Sequence, residues 1–435
     1  MNILYIHTHD TGRYIKPYGH NIPTPNLMEL AKEGTLFRNA YCAGSTCSPS
    51  RAALVTGMAP HSAGMIGLAH RGFELNDYDK HLVNYLKKYN YETVLCGIQH
   101  VAPDEKMIGY DQIITQDIEG GQVEKDLANA EKVAQYIKEA GKKQDKNFFL
   151  SFGMFNTHRK FPESDIDPAY VIPPHPLADN KENREDMAAF MASARVMDDC
   201  VGKVIEALKE SGLEDETFVI FTTDHGIAFP KMKCNLYDTG IGISLIIKYS
   251  GNKKTGEAVD ALVSHIDLYP TICDLLKLEK PDWLQGNTIL PLLEGKTDKI
   301  RDEIFSEVTY HAAYEPMRCI RTERYKLIRF YDYHDQLVMA NIDDGPSKRF
   351  LMENGLEDQV REREMLFDLY HDPVERVNLA ADSGYYEIHQ NLNKRLDEWM
   401  KNTDDPLYGS GRVEKPEGAI VNKLECMQPG EENFE

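Results

Sequence analysis

Positive charge is in short supply in this chain. Against 70 Asp and Glu stand 49 Lys and Arg, a formal net charge of -21 over 435 residues. Such a field repels nucleic acid and anionic membrane surfaces, and it opposes broad capture of a polyanion such as heparin. An anionic group would have to be held by a local basic pocket. Long apolar runs are missing too: no stretch reaches the ~18 apolar residues of a membrane span. The opening MNILYIHTHD has neither a basic n-region nor a long apolar core. It does not read as a signal peptide, and unless a leader precedes it the expected compartment is cytoplasmic. Eight cysteines, at 42, 47, 96, 200, 234, 273, 319 and 426, lack paired spacing. That excludes a zinc ribbon and a dense disulfide framework, and most are expected to be structural thiols in a reducing compartment.

What is present reads as alternating strands and helices. Asn2 to Ile6, Thr93 to Gly97, Phe148 to Phe155, Thr217 to Thr223 and Ile243 to Lys248 read as strands. Helical runs lie between them: Asn26 to Glu33, Lys80 to Tyr89, Ala128 to Ala140, Arg184 to Ser211 and His265 to Leu276. The expected fold is α/β, with a large, mostly parallel sheet flanked by helices. After about residue 310 the texture changes. Two short strands within Met317 to Phe330, a strand at Leu366 to Tyr370 and a helix at Tyr386 to Lys401 predict a small α+β domain. The expected division is 1–310 and 311–435, with a loosely held polar tail from Gly409.

Polar residues gather at the predicted strand ends, where open α/β sheets place their chemistry. His9 and Asp10 follow the first strand, His100 the second, His158 and Arg159 the third, Asp224 and His225 the fourth. Two Asp–His neighbours on separate strands make a plausible divalent-metal site. Cys47-Ser48-Pro49-Ser50-Arg51 opens a helix. Pro49 suits a first turn, Ser48 and Ser50 are candidate caps, and residue 47 faces the positive end of the helix dipole.

The pattern C-x-P-S-R followed by Leu54, Thr56 and Gly57 resembles the maturation signature of the type I sulfatases, in the alkaline phosphatase superfamily. The resemblance implies an alkaline phosphatase-like fold and oxidation of Cys47 to formylglycine by a maturation enzyme. It further implies one divalent ion held by Asp10, Asp224, His225 and residue 47. The ion is Ca2+ by resemblance, with Mn2+ or Zn2+ also open because His9 stands where the family has an acid. Cys47, Arg51, His100, His158 and Lys233 are the implied catalytic residues. Lys233 is placed by the run Lys233 to Gly240, which matches the family's Lys-Gly-x-Leu-Tyr-x-x-Gly element. Ile98 replaces the family's sulfate-binding lysine, and Arg159 is a candidate substitute for its charge.

Within the family, the pieces around Cys47, His100-Val101, Asp224 to Pro230 and Pro316-Met317-Arg318 are most like the heparan N-sulfatase (sulfamidase) branch. The implied activity is hydrolysis of a sulfate ester or N-sulfate of a small organic substrate such as a sulfated sugar. In the implied reaction one hydroxyl of the formylglycine hydrate attacks sulfur, and the second expels sulfate. A phosphonate monoester or phosphodiester hydrolase of the same superfamily is the alternative, favoured by the Asp224-His225 pair and His9. A sugar-binding protein without catalysis is a third reading, raised by Ile98 and His9. No nucleic-acid or membrane partner is expected, and oligomeric state is left open.

Overall fold

A computed structural model of the chain describes residues 1–143 and 146–435. Its main sheet has eight strands, in the spatial order Gln112–Ile113, Glu92–Gly97, Phe148–Gly153, Asn2–Thr8, Thr217–Thr223, Leu245–Lys248, Thr35–Phe37 and Ala258–Val259. Pairing is parallel except on both sides of Leu245–Lys248, which runs antiparallel to its neighbours. The three central strands are mostly apolar and are buried along their whole length. That is the pattern of parallel strands covered on both faces. The long helices Gln122–Lys143 and Lys181–Glu210 pack together over one face, where Val133, Ile137, Phe190, Met197 and Val201 meet Leu4, Leu150 and Phe221.

Register decides where the chemistry can sit. His7 pairs with Gly153 on one side and Thr222 on the other, and Gly97 pairs with Gly153. Four neighbouring parallel strands therefore end at one level. A Cβ on Gly97, whose φ is +82°, would lie 2.0 Å from the Gly153 carbonyl oxygen. Only glycine lets these two strands approach so closely before their loops diverge.

The second layer is a four-stranded antiparallel sheet, Glu303–Tyr310, Tyr314–Thr322, Tyr325–Phe330 and Glu364–Asp368. Its first strand lies upstream of residue 311, where the sequence changes texture. Helix Tyr386–Asn402 covers this sheet with Leu392, Leu396 and Met400 against Ile320, Leu327 and Leu366. The other face shares a core with the main sheet through Ile304, Val308, Met317 and Ile328. Arg318, fully buried, is paired with Asp405 at 2.6 Å.

The tail differs from the sequence expectation. Val413, Ala419, Val421 and Cys426 are buried, and Arg71 donates to Asn422 Oδ1 at 2.6 Å and to the Pro429 carbonyl at 2.7 Å. Scattered small apolar residues, too sparse to form a periodic pattern, fix it against the body. All eight cysteines are free and buried, as structural thiols should be.

His81 ties stability to pH. It caps helix Leu82–Lys87, accepting at Nδ1 from Val83 N–H at 3.1 Å, and burial pushes its pKa down to about 3. The folded state keeps this ring neutral while the unfolded chain protonates it below its ordinary value near 6.5. The contribution is therefore complete above that value and is lost as pH falls toward 3. At pH 5 the loss is about 2 kcal/mol. His81→Asn keeps an acceptor for the cap, so the drop in unfolding free energy from pH 7.5 to 5 should shrink by about that amount in urea titrations. An unchanged drop would remove His81 from the acid response.

Candidate active site

The site begins with two backbone choices. Asp10, two residues beyond the first strand, and His100, three beyond Glu92–Gly97, both adopt left-handed conformations, with φ of 49° and 58°. Such conformations are uncommon for residues other than glycine and cluster at functional sites. Asp10 is turned so that its own N–H meets Asp224 Oδ1 at 2.8 Å. Gly226 is required next to it, since a Cβ there would lie 2.0 Å from the Thr239 carbonyl oxygen.

Helix Cys47–Thr56 runs beneath these loops and every one of its residues is buried. Its serines serve the tertiary structure rather than the cap. Ser50 Oγ bonds the Asp224 carbonyl at 2.5 Å and His265 Nδ1 at 3.1 Å, and Ser48 Oγ accepts from Ala69 N–H at 3.0 Å. Thr46 occupies the N-cap without a side-chain bond. Cys47 Sγ is thereby presented 3.3 Å from His225 Nε2 and 4.0 Å from Asp10 Oδ1.

One side of Cys47 is a cluster of metal-type donors. Ligand atoms of His9, Asp10, Cys47 and Asp224 all lie within 4.8 Å of one another. His225 Nε2 stands 3.4 Å from Asp10 Oδ1 and 3.8 Å from Asp224 Oδ2. Its Nδ1 lies 2.9 Å from the Gly226 carbonyl, which can only accept, so Nδ1 carries a proton and Nε2 is the nitrogen turned toward the carboxylates. His9 Nδ1 is 3.0 Å from Asp224 Oδ2, yet neither ring nitrogen of this buried histidine has a well-formed hydrogen bond. Buried nitrogens without bonds, converging with two buried carboxylates, are what a cation site requires.

On the other side lie the cations. Lys233 Nζ, 3% exposed as a residue, donates to Asp10 Oδ2 at 2.9 Å and sits 3.4 Å from His158 Nε2. Burial alone would raise the carboxyl pKa of Asp10, but Lys233, then His158 and His225, hold it well below the usual range. Asp224 is likewise held low against its burial, by His225, Arg51 and His9. Burial pushes the unmodified Cys47 thiol well up, Lys233 and Arg51 opposing and the two carboxylates adding.

The implied catalytic and metal residues converge here, but with different tasks. Arg51 is engaged with the framework of the site. It donates to His7 Nδ1, to the Thr8 carbonyl at 2.7 Å and to Asp224 Oδ2 at 2.9 Å, so its terminal nitrogens hold the carboxylate in place. Arg159 does not replace the charge missing at Ile98. Asp186 binds both its terminal nitrogens at 2.7 Å, and the rings of Phe161 and Phe229 both pack against it. His100 lies beside His9, ring centroids 5.3 Å apart, and bonds His70 at 3.1 Å. The second half of the Lys233 to Gly240 run also docks the small sheet, since Asp238 pairs with Lys326 at 2.5 Å and Arg321 at 3.1 Å. Sequence reasoning missed His7, His70, His311 and Asp343. His7 lies in strand Asn2–Thr8, two residues before His9; the others carry no local signal.

The sulfatase family model matches residues 1–278, and a model described as N-sulphoglucosamine sulphohydrolase, C-terminal, matches residues 228–362. The human N-sulphoglucosamine sulphohydrolase is 28% identical, over 97% of this chain and 93% of its own length. A ulvan-active sulfatase of Formosa agariphila is 30% identical, over 90% of this chain and 78% of its own. The fold matches, with a TM-score of 0.73 and 18% identity, a protein solved in complex with its substrate D-glucosamine-2-N,6-O-disulfate; 95% of this chain and 99% of the other are covered.

Proposed function

Since this chain belongs to the sulfatase family, we propose that it hydrolyses the sulfate ester or N-sulfate of a small sulfated sugar, with residue 47 as nucleophile. The observation that carries this is the position of Cys47, between a carboxylate–imidazole cluster and a buried lysine.

Charge supports a monoanionic substrate. Asp10, Asp224 and Asp343 set three negative charges against the two positive charges of Arg51 and Lys233. A dication turns that deficit of one into an excess of one, which a sulfate ester or sulfamate neutralises. A phosphate monoester, carrying close to two charges at neutral pH, over-compensates it.

Four side chains suit the ion: Asp10 and Asp224 through oxygen, His9 and His225 through nitrogen, with residue 47 completing the set. The nitrogen share favours Mn2+ or Zn2+ over the all-oxygen cage typical of Ca2+. When bound, the ion supplies a Lewis acid beside residue 47. Formylglycine, once hydrated, offers two hydroxyls on one carbon. Arg51, locked by His7, keeps Asp224 fixed and ionised. Lys233 holds the transferring group by charge. His158 is the partly open member of the pair. Its Nδ1 lies 2.5 Å from the Arg159 carbonyl, which orients Nε2 toward Lys233 and the departing atom. That pair delivers the leaving-group proton, and His100, linked to His70 at the site's mouth, is placed to accept one.

The test uses matured protein, whose metal is first measured by elemental analysis. Turnover of 4-nitrophenyl sulfate and of a panel of sulfated monosaccharides, N-sulfoglucosamine included, should disappear on chelation and return with Mn2+ or Zn2+. A phosphodiester and a phosphonate monoester run in parallel. Hydrolysis of only those two would reject the sulfatase reading for its superfamily alternative.

A further inference from the structure

The reaction as derived leaves one charged group in the site unused. Asp343 stands beside Lys233, which it shares with Asp10. Its carboxylate oxygens lie 3.3 and 3.5 Å from Lys233 Nζ, and among the described residues its side chain makes no other hydrogen bond or ion pair. A carboxylate has about four lone-pair sites. Asp343 has spent one, on a long contact, and its side chain is 15% exposed.

The loop that carries it is built to stay still. Just before Asp343, the buried Asn341 accepts from Ala313 N–H at 2.9 Å and donates to Glu315 Oε2 at 2.9 Å. Just after it, Lys348 spends its ammonium on the carbonyls of Ile342 at 2.8 Å, Met339 at 3.1 Å and Met427 at 2.7 Å. Two buried polar side chains thus clamp the backbone that leads into a partly open aspartate. Burying Asn and Lys is costly unless every bond is made, so this rigidity holds Asp343 in place. Nearby, His311 keeps a buried Nδ1 without a hydrogen-bond partner.

Position decides what such a group can meet. The sulfuryl group must sit against residue 47, with its leaving atom toward Lys233 and His158. Whatever is attached to that atom lies next to Asp343. We propose that Asp343, with His311 beside it, forms the leaving-group subsite: it accepts hydrogen bonds from the hydroxyls or amine of the departing sugar and disfavours a sugar bearing a carboxylate or second sulfate at that point. This rests on the sulfatase reading and adds the class of sugar to it, a neutral or amino sugar rather than a uronate.

Product inhibition separates the two halves of the site. Hydrolysis of 4-nitrophenyl sulfate is followed with inorganic sulfate, D-glucosamine or D-glucuronate as inhibitor. Wild type should be inhibited more tightly by glucosamine than by glucuronate. In Asp343→Asn the inhibition constant for glucosamine should rise about tenfold, the worth of one hydrogen bond to a charged acceptor. The constant for sulfate should stay or fall, because a nearby negative charge has gone. If both constants rise together, Asp343 acts only by positioning Lys233 and the proposal is overturned. It is equally overturned if glucuronate binds wild type as well as glucosamine does, or if glucosamine fails to inhibit. Matured wild type without 4-nitrophenyl sulfate turnover would instead count against the sulfatase reading itself.

Discussion

Cys47→Ser should give a folded protein that reacts once and stops. The hydroxyl would occupy the place of Sγ, 3.3 Å from His225 Nε2 and within reach of Asp10. It is close enough to the metal-type donors to be activated, and it can form a bond to sulfur as the leaving group departs. The resulting ester has no second hydroxyl on the same carbon. Release then depends on water reaching a fully buried position, since residue 47 is 2% exposed. In a host whose maturation enzyme oxidises only cysteine, the variant should release about one equivalent of nitrophenol and then slow by at least about 10³-fold, the scale of losing a covalent step's turnover. Intact-mass analysis should find one added SO3 group. Steady turnover near the wild-type rate would mean that residue 47 is not the nucleophile.

The largest combined loss of stability and activity is expected at Asp224. Its Oδ1 accepts from Asp10 N–H at 2.8 Å and His225 N–H at 2.9 Å, and its Oδ2 from Arg51 at 2.9 Å. Asp224→Ala orphans two buried donors and a buried guanidinium at once. Breaking a buried ion pair from one side alone costs about 3–5 kcal/mol. Asp224→Asn keeps an acceptor for the two N–H groups and should lose less than half as much. Both variants remove a ligand charge, so both should lose the metal and at least about 10³-fold in kcat/KM, several kcal/mol of transition-state stabilisation. Urea unfolding, metal content and kinetics together check this. An Asn variant that keeps its metal and most of its activity would take Asp224 out of the ion site.

The strand Thr217–Thr223 was legible to the residue, and those before Asp10 and His100 nearly so. Each is an apolar run ended by polar residues, and a parallel strand buried on both faces has no other way to be written. The helix after residue 46 was legible too, but the work of its hydroxyls was not. Ser50 answers to His265, 215 positions away. The limit is the same for cations. Arg159 read as a spare charge after a strand, and Lys233 as a site lysine from its motif. Asp186 captures the first and the site keeps the second, and only the packing of helix Lys181–Glu210 distinguishes them.

The sequence alone determined the motif around residue 47, the ends of the strands that surround it and the family to which they belong. These are local matters, written in apolar periodicity and in a contiguous motif. Tertiary structure decided the rest: that Arg51 steadies Asp224, that the tail is pinned, and that Asp343 reaches Lys233 from 110 residues away. Those facts depend on which charges share a buried space, and the electrostatics of such a space is set by distance through the fold, on which spacing along the chain has no bearing.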